Sequence, residues 1–293
     1  MPDPASSSPP PATATLLVSC RDRTGLVAAL SEFVFRNEGN ILDADQHADR
    51  ETGLFFMRLV WDLGRFKLSR PAISAALAEL AVPFELRWEV TYSDERPRVA
   101  ILASRTPHCL YDLLLANQLG DLAGEIALIL SNHADLEPVA GHFGVRFVHV
   151  PVDPSDKPAA EATQQKLLEE TRIDLVVLAR YMQILSPAFV ARWPGRIINI
   201  HHSFLPAFVG SRPYHQAKER GVKIIGATAH YVTSELDQGP IIEQDVCRVS
   251  HRDDVEDLVQ KGRELERQVL TRAVRCHLAR RVLISGNRTI VFS

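Results

Sequence analysis

Apolar residues between positions 14 and 92 switch repeatedly between the spacing of strands and the spacing of helices. Strands are expected at residues 14–19, 41–48, 54–63 and 84–92, and helices at 26–35 and 71–80. The order β-α-β-β-α-β over residues 14–92 predicts a ferredoxin-like domain. Residues 1–13 are rich in proline and serine and predict a disordered tail, whereas the charged stretch 93–97 ends near a proline and predicts a linker.

From residue 98 to residue 293, short apolar runs alternate with helical stretches, which predicts a second, mostly parallel α/β domain with helices on both faces of its sheet. Strands are expected at 99–104, 126–130, 147–150, 175–179, 197–200 and 223–229, and helices at 108–118, 159–172 and 215–220. The S-x-x-D pattern at Ser250 predicts the start of a long amphipathic helix. A hairpin is expected at the end of the chain, over residues 282–292.

Composition limits the class of protein. The chain has 293 residues, of which 46% are hydrophobic, and a net charge of −3, so neither nucleic acid nor an anionic membrane is an expected partner. No apolar run approaches the ~20 residues of a membrane helix, and the N-terminus lacks the features of a signal peptide. The four cysteines are far apart, which predicts neither a zinc site nor a disulfide framework. We therefore expect a cytoplasmic protein.

Polar residues gather near the ends of two neighbouring predicted strands. Asn199 and His201 share one face of the first strand because side chains alternate along a strand. His230 closes the second strand, and Asp237 follows it. Ligands of α/β sheets bind at the carboxyl ends of strands, so an amide, an imidazole and a carboxylate there predict a site for acyl chemistry.

A metal hydrolase is an alternative that the histidines leave open. His201, His202, His215 and His230 are the candidate ligands. Adjacent histidines on a strand point to opposite faces, and the chain has no H-x-x-x-H helix. We therefore expect no metal. A protein that only senses its ligand is a further alternative, and the complete Asn, His and Asp trio argues against it.

Two motifs carry a family resemblance over about residues 98–293. N-I-H-H-S-F-L-P-A-F begins at Asn199, and I-G-A-T-A-H-Y-V-T-x-x-L-D-x-G-P-I-I begins at Ile225. They resemble the folate-dependent formyltransferase fold, which is Rossmann-like, and more narrowly the formyltetrahydrofolate deformylases. The resemblance implies that Asn199, His201 and Asp237 are catalytic. His202 also resembles the deformylase branch, because glycinamide ribonucleotide transformylases usually carry proline there.

The resemblance implies hydrolysis of 10-formyltetrahydrofolate by water to formate and tetrahydrofolate, which supplies formate for purine synthesis, without a cofactor. It also implies a folate pocket formed by Met182, Gln183, Ile184, Leu185, His230 and Val232, where Gln183 replaces a frequent arginine. Transfer of the formyl group to an amine is the alternative. The first βα turn reads S-R-T-P-H-C-L and has no glycine to admit a phosphate, so water is the expected acceptor. Residues 207–214 form a candidate lid.

The sequence D-R-T-G-L-V that begins at Asp22, with G-N-I before the second strand, resembles the regulatory ACT domain. The resemblance implies a small-molecule effector, glycine or methionine, held by Asp22, Thr24, Gly25 and Asn40. A helix N-terminus at Gly25 offers free N–H groups that attract a carboxylate. ACT domains commonly pair through their sheets, so a homodimer or homotetramer is expected.

Overall fold

The computed structural model describes residues 12–206 and 213–293, which form two compact units. One unit runs up to Glu95 and includes Phe292 and Ser293, and the other spans Arg96–Val291. Most of the predicted tail and residues 207–212 of the candidate lid lie outside the described residues. Among the helices that the structure describes, none is long and apolar enough to cross a membrane.

The first unit is an antiparallel sheet with two helices, in the ferredoxin-like arrangement predicted from the sequence. Its elements are β1 (Thr13–Arg21), α1 (Leu26–Arg36), β2 (Ile41–Asp49), β3 (Leu54–Asp62), α2 (Arg70–Ala81) and β4 (Arg87–Tyr92). The strand order is β2-β3-β1-β4. Alternate residues of β1 and β3 form a core with α1 and α2, in which Leu16, Leu59 and Trp61 are fully buried.

The second unit is a seven-stranded sheet with the order β11-β10-β9-β8-β5-β6-β7. Its strands are β5 (Arg98–Ala103), β6 (Glu125–Ser131), β7 (Phe147–His149), β8 (Leu175–Ala179), β9 (Ile197–His201), β10 (Ile224–Tyr231) and β11 (Ile241–Arg248). Its helices are α3 (His108–Gln118), α4 (Glu137–His142), α5 (Lys157–Glu170), α6 (Pro187–Ala191), α7 (Pro213–Arg220) and α8 (Val255–Leu278), and the hairpin of β12 (Val282–Ser285) and β13 (Arg288–Val291) follows. Strands β5 to β9 are parallel, which confirms the mostly parallel α/β fold.

Two features of this unit differ from the sequence-based expectations. Strand β10 runs antiparallel to β9, and β11, which the sequence pattern did not predict, runs antiparallel to β10. The long helix begins at Val255 instead of near Ser250. Asp254 is its N-cap, and reciprocal hydrogen bonds with Asp257 complete a capping box. Ser250 and Asp253 form a separate turn, in which the Ser250 backbone N–H donates to the Asp253 carboxylate over 2.8 Å.

Side chains alternate along β9 and β10, so the residues that pack in the core and the polar residues lie on opposite faces of the sheet. Ile198 and Ile200 of β9 face the core that contains α3 and α8, as do Ala229 and Tyr231 of β10. Their sequence neighbours on each strand therefore point to the opposite face of the sheet. Helix α8 thus packs against one face of these strands, and the polar residues lie on the other face.

The contact between α7 and α8 depends on a glycine. A Cβ atom at Gly262 would lie 1.9 Å from the Tyr214 Oη and 2.4 Å from its Cζ. The Tyr214 hydroxyl donates a hydrogen bond to Glu266, one turn further along α8, over 2.7 Å. A side chain at position 262 would therefore displace a buried ring and break this hydrogen bond.

We expect Gly262→Ala to lower the free energy of unfolding by about 1–3 kcal/mol, the usual cost of overpacking. Gly141→Ala is the matched control. Position 141 lies in α4 with no atom within 4 Å of an added Cβ, so this variant is expected to be neutral or slightly stabilised. Denaturant unfolding of both variants measures the difference, and equal stabilities would contradict the role assigned to the Tyr214 contact.

Candidate active site

A pocket of about 370 Å³ lies beside β9 and β10, and it brings together the residues predicted to act on the formyl group and to bind folate. Its lining includes Asn199, His201 and Asp237, and also Met182, Gln183, Ile184, Leu185, His230 and Val232. Arg180, His202 and the residues 233–236 line it as well. Met182, Ile184 and Leu236 are large apolar side chains that remain more than half exposed, so the pocket has an apolar side open to a ligand.

The antiparallel register of β9 and β10 forms the polar side of the pocket. His230 lies directly opposite Asn199, and Thr228 lies opposite His201. The sequence pattern predicts that the two strands bring their carboxyl ends to the same edge of the sheet. This prediction is wrong for β10, because an antiparallel strand ends at the other edge. The residues meet instead as cross-strand neighbours on one face.

A loop after β10 returns Asp237 to the end of β9. The Tyr231 N–H donates to the Pro240 carbonyl over 2.9 Å, so the chain folds back on itself. A Cβ atom at Gly239 would lie 1.7 Å from the Tyr231 carbonyl oxygen, so only glycine permits this approach. Asp237 adopts a left-handed backbone conformation with φ = 56°, which aspartate and asparagine tolerate better than most residues.

Asp237 orients the imidazole of His201. The Nδ1 of His201 lies 3.2 Å from the Asp237 Oδ2, and His201 is only 7% exposed. A carboxylate accepts hydrogen bonds, so Nδ1 carries the proton and Nε2 keeps its lone pair when the ring is neutral. The Nε2 atom is buried and has no hydrogen-bond partner among the described residues. It is therefore available to a reactant.

His230 orients the amide of Asn199 in a similar way. The Nδ1 of His230 lies 2.9 Å from the Tyr231 carbonyl oxygen, which only accepts, so Nδ1 is the donor. In the neutral ring, Nε2 then accepts from the Asn199 Nδ2, which lies 3.2 Å away. This contact uses one of the two amide hydrogens and fixes the plane of the amide. The second N–H of Asn199 remains for a ligand.

The electrostatics of the site keep Asp237 ionised. The hydrogen bond from His201 is the main cause that holds the pKa of the Asp237 carboxyl well below its ordinary value, with His230 nearby and against the opposing effect of burial. The His230 contact is the longer of the two, with 3.7 Å between Nε2 and Oδ1. A carboxylate this acidic is a weak proton acceptor, so Asp237 is better suited to hold an imidazole and its positive charge.

A buried charged cluster, which sequence reasoning missed, borders the pocket beyond His202. We call it the Glu266 cluster, and its members are His108, Arg180, Tyr214 and Glu266. The Glu266 carboxylate is 1% exposed, accepts from the Tyr214 hydroxyl, and lies 2.8 Å from the His108 Nε2 and 3.4 Å from the Arg180 Nε. Burial opposes ionisation, but the His108 and Arg180 contacts hold the pKa of Glu266 below its ordinary value.

One sequence signal could have located this cluster. Position 266 lies on the apolar stripe of α8, beside Leu265 and one turn after Gly262, where a charged side chain needs a partner. Nothing in the pattern of residues 104–108 indicates that His108, at the start of α3, is that partner. Arg180 follows β8 with φ = 61°, and no sequence feature predicts this conformation.

The histidines proposed as metal ligands do not form a metal-binding group with one another among the residues that the structure describes. In that part of the chain, one group of His, Cys and Glu side chains, namely His108, Cys109 and Glu266, has ligand atoms within 4.8 Å of one another. Both oxygens of the Glu266 carboxylate are already hydrogen-bonded. The guanidinium of Arg180 lies next to the same carboxylate and opposes a second cation there.

The predicted effector residues are exposed but are not all brought together within one copy of the chain. Asp22, Thr24 and Gly25 lie in the turn that leads into α1, and Gly25 has φ = 91°. Asn40 lies beyond the other end of α1, just before β2. A helix of this length, 11 residues, spans roughly 16 Å. A single small effector therefore cannot reach Asn40 and the 22–25 turn in the same copy.

Comparisons with known proteins agree with the geometry of the pocket. The profile of the formyl transferase family matches residues 97–274. The chain is 55% identical to the formyltetrahydrofolate deformylase of Synechocystis sp. over 96% of its length and 99% of that protein's length. It is 47% identical to the deformylase of Bacillus subtilis, over 95% of the chain and 93% of the relative.

A solved structure gives the same result at the level of the fold. The crystal structure of a formyltetrahydrofolate deformylase from Pseudomonas syringae pv. tomato matches with a TM-score of 0.95 and 47% identity. The match covers 97% of this chain and 95% of that chain, so it includes both compact units. The chain belongs to the formyltetrahydrofolate deformylase family.

Proposed function

We propose that this protein hydrolyses 10-formyltetrahydrofolate to formate and tetrahydrofolate. The observation that carries the proposal is the pocket, in which an oriented amide, a carboxylate-bound imidazole and an open apolar wall meet. Family membership supports the same reaction. The reaction adds water across the bond between the formyl carbon and N10, so a C–O bond forms, the C–N bond breaks and N10 gains a proton.

Asn199 is the proposed donor to the formyl oxygen. Negative charge develops on that oxygen when water attacks, and a fixed N–H donor stabilises it without further reorganisation. His230 supports this role, because its Nε2 accepts the other amide hydrogen and prevents the amide from rotating. Removal of one such donor typically lowers kcat by roughly 10²–10³-fold.

His201 is the proposed group that transfers a proton to N10. Its Nδ1–H points to Asp237, and its Nε2 is free to accept a proton from the attacking water, which it then passes to N10. The Asp237 carboxylate stabilises the positive charge that the imidazole carries during proton transfer. The pKa of Asp237 is lowered chiefly by its hydrogen bond to His201, so its proposed role is to orient and stabilise His201 and not to accept the proton itself.

The apolar side of the pocket is the proposed binding site for the pterin ring. Met182, Ile184 and Val232 contribute apolar surface, while Gln183 and the backbone of residues 182–185 supply polar groups. The backbone N–H of Met182 is held by the Ser104 hydroxyl over 3.2 Å, which ties this segment to the end of β5. No cofactor or metal is required for the proposed steps, since the side chains named above supply the donor and the proton.

Formyl transfer to an amine, the alternative reaction, is not favoured. It would need room for an amine beside the formyl carbon, and phosphate binding at the turn after β5. At that turn, His108 is engaged with the buried Glu266 instead of facing a free anion site. This contact favours water as the acceptor.

We expect Asp237→Asn to lower kcat for formate release by about 10²–10⁴-fold, the range for loss of acid–base assistance. Asparagine keeps the shape of the side chain and tolerates the left-handed backbone at this position, so the fold is expected to persist. Purified wild type and variant are incubated with 10-formyltetrahydrofolate, EDTA and no amine, and formate and tetrahydrofolate are quantified. A wild type that releases formate only after addition of a metal or an amine would overturn the proposal.

A second expectation concerns the loop that carries Asp237. Gly239→Ala places a methyl group against the Tyr231 carbonyl, so the loop must move and Asp237 must leave His201. We expect kcat to fall by about 10²-fold, the cost of misplacing a catalytic group by about an ångström. The control Gly141→Ala is expected to keep full activity, and wild-type activity in Gly239→Ala would contradict the role of this close approach.

We also propose that the first unit binds an amino-acid effector, glycine or methionine, between two copies of the chain. The separation of Asn40 from the 22–25 turn supports an arrangement in which one copy supplies the turn and the other supplies Asn40. A homodimer or homotetramer would follow. The N–H groups at the start of α1 offer the carboxylate-binding end.

Isothermal titration of the protein with glycine and with methionine tests this proposal. We expect one of them to bind, and Asp22→Ala to weaken binding at least about tenfold because the ammonium group loses its carboxylate partner. The exposed Asp135→Ala, in the second unit, is the control that should leave binding unchanged. A monomer in sedimentation analysis, or unaltered binding in Asp22→Ala, would contradict the shared site.

A further inference from the structure

His202 lies in the pocket without an assigned role. It directly follows β9, lines the same pocket as Asn199 and His201, and is partly exposed to it. Its ring centroid lies 5.3 Å from that of His201 and 6.2 Å from that of Tyr214. Among the described residues, none forms a hydrogen bond with either ring nitrogen of His202. Both nitrogens are therefore available to a small molecule in the pocket.

His202 lies on a different side of the pocket from the apolar residues that are proposed to bind the pterin ring. The ring lies at the carboxyl end of β9, between the pocket and the Glu266 cluster. The cluster fills the space behind the ring with buried, hydrogen-bonded side chains from α3, α7 and α8. His202 and Arg180 therefore form a polar side of the pocket.

The backbone that carries His202 is fixed. The Thr228 hydroxyl donates to the Ser203 carbonyl over 2.9 Å and accepts from the Leu205 N–H over 3.1 Å. Thr228 is fully buried and its hydroxyl is also held by Gln244. The residues immediately after His202 are thus anchored to β10, which gives its ring the fixed position that orientation of a reactant requires.

Burial, together with the positive charge of Arg180, favours the neutral form of the ring. Among the described residues, the charged and titratable groups near it are Arg180, His201, Tyr214, Asp237 and Glu266. Burial, followed by the positive charge of Arg180, lowers the pKa of His202 to about 4, and the two carboxylates oppose this only in part. A neutral ring has one nitrogen with a free lone pair, which accepts a hydrogen bond from water near pH 7.

We propose that His202 holds the attacking water: its unprotonated ring nitrogen accepts one O–H of the water and directs the oxygen lone pair at the formyl carbon. This assignment rests on the proposed hydrolase function of the same pocket. The water oxygen bonds to the formyl carbon while one water proton passes to the free Nε2 of His201. The bond to N10 then breaks as His201 returns that proton to N10, and the formic acid that forms loses its remaining proton to solvent. The products are tetrahydrofolate and formate, with one proton released to solvent.

The test compares variants at position 202 that differ in their ability to accept a hydrogen bond. Gln retains an acceptor oxygen, whereas Leu, of similar size, and Ala have none. We expect kcat in His202→Leu and His202→Ala to fall about 10- to 10²-fold with KM changed less than about threefold. His202→Gln is expected to remain within about tenfold of wild type and clearly above the other two. The exposed His142→Ala, at the end of α4, is the matched control and should equal wild type.

Chemical rescue separates orientation of water from a structural role. Added imidazole is expected to raise kcat of His202→Ala several-fold and to leave wild type unchanged, because it restores the missing acceptor in the vacated space. Two results would overturn the proposal, namely a Leu variant within twofold of wild type, or equal losses in the Gln and Leu variants with no rescue by imidazole in the Ala variant. A wild type that does not hydrolyse the substrate would instead defeat the proposed function.

Discussion

The antiparallel pairing of β10 with β9 is the constraint on which the site depends. It places His230 opposite Asn199, and the hydrogen bond between them sets the plane of the amide. A shift of one residue in this register would turn His230 toward the core around α8 and bring Tyr231 into the pocket. The apolar residues Ala229 and Tyr231 oppose such a shift because they are buried against α8. Packing on one face of the sheet thus keeps the polar residues on the other face in position.

A second constraint comes from the charge buried at Glu266. An ionised carboxylate that is 1% exposed requires partners, and it obtains them from three separate parts of the chain, at His108, Arg180 and Tyr214. Buried ion pairs contribute little net stability in general, but loss of one partner is costly. The cluster therefore fixes the relative positions of α3, α7, α8 and the end of β8. Because Arg180 belongs both to the cluster and to the pocket, this rigidity extends to the site.

Much of the fold and of the candidate site follows from local sequence patterns. The helix His108–Gln118 and the strand Leu175–Ala179 have the same bounds in the sequence and in the structure, because their apolar periodicity is strong and their ends are marked. The nine pocket residues named from the motifs meet in one pocket. Strand β11 was not predicted because its sequence, from Ile241 to Arg248, mixes charged and apolar residues. It lies at the edge of the sheet. The segment is a strand because it forms backbone hydrogen bonds with β10, and its own composition does not indicate that pairing.

The direction of β10 and the partners of Glu266 could not be read from the sequence, since both depend on contacts between distant residues. They nevertheless explain the division of the pocket. The apolar side, formed by residues after β8 and β10, suits a flat ring, and its exposed Met182 and Ile184 need a ligand to cover them. The polar side includes His202 and Arg180, and behind them the buried carboxylate of Glu266 is hydrogen-bonded to His108 and Tyr214. His108 begins the helix after β5, so its contact with Glu266 occupies a side chain at the turn where a phosphate-bearing acceptor would have to bind. The way in which the buried charge of Glu266 is neutralised thus works against such an acceptor.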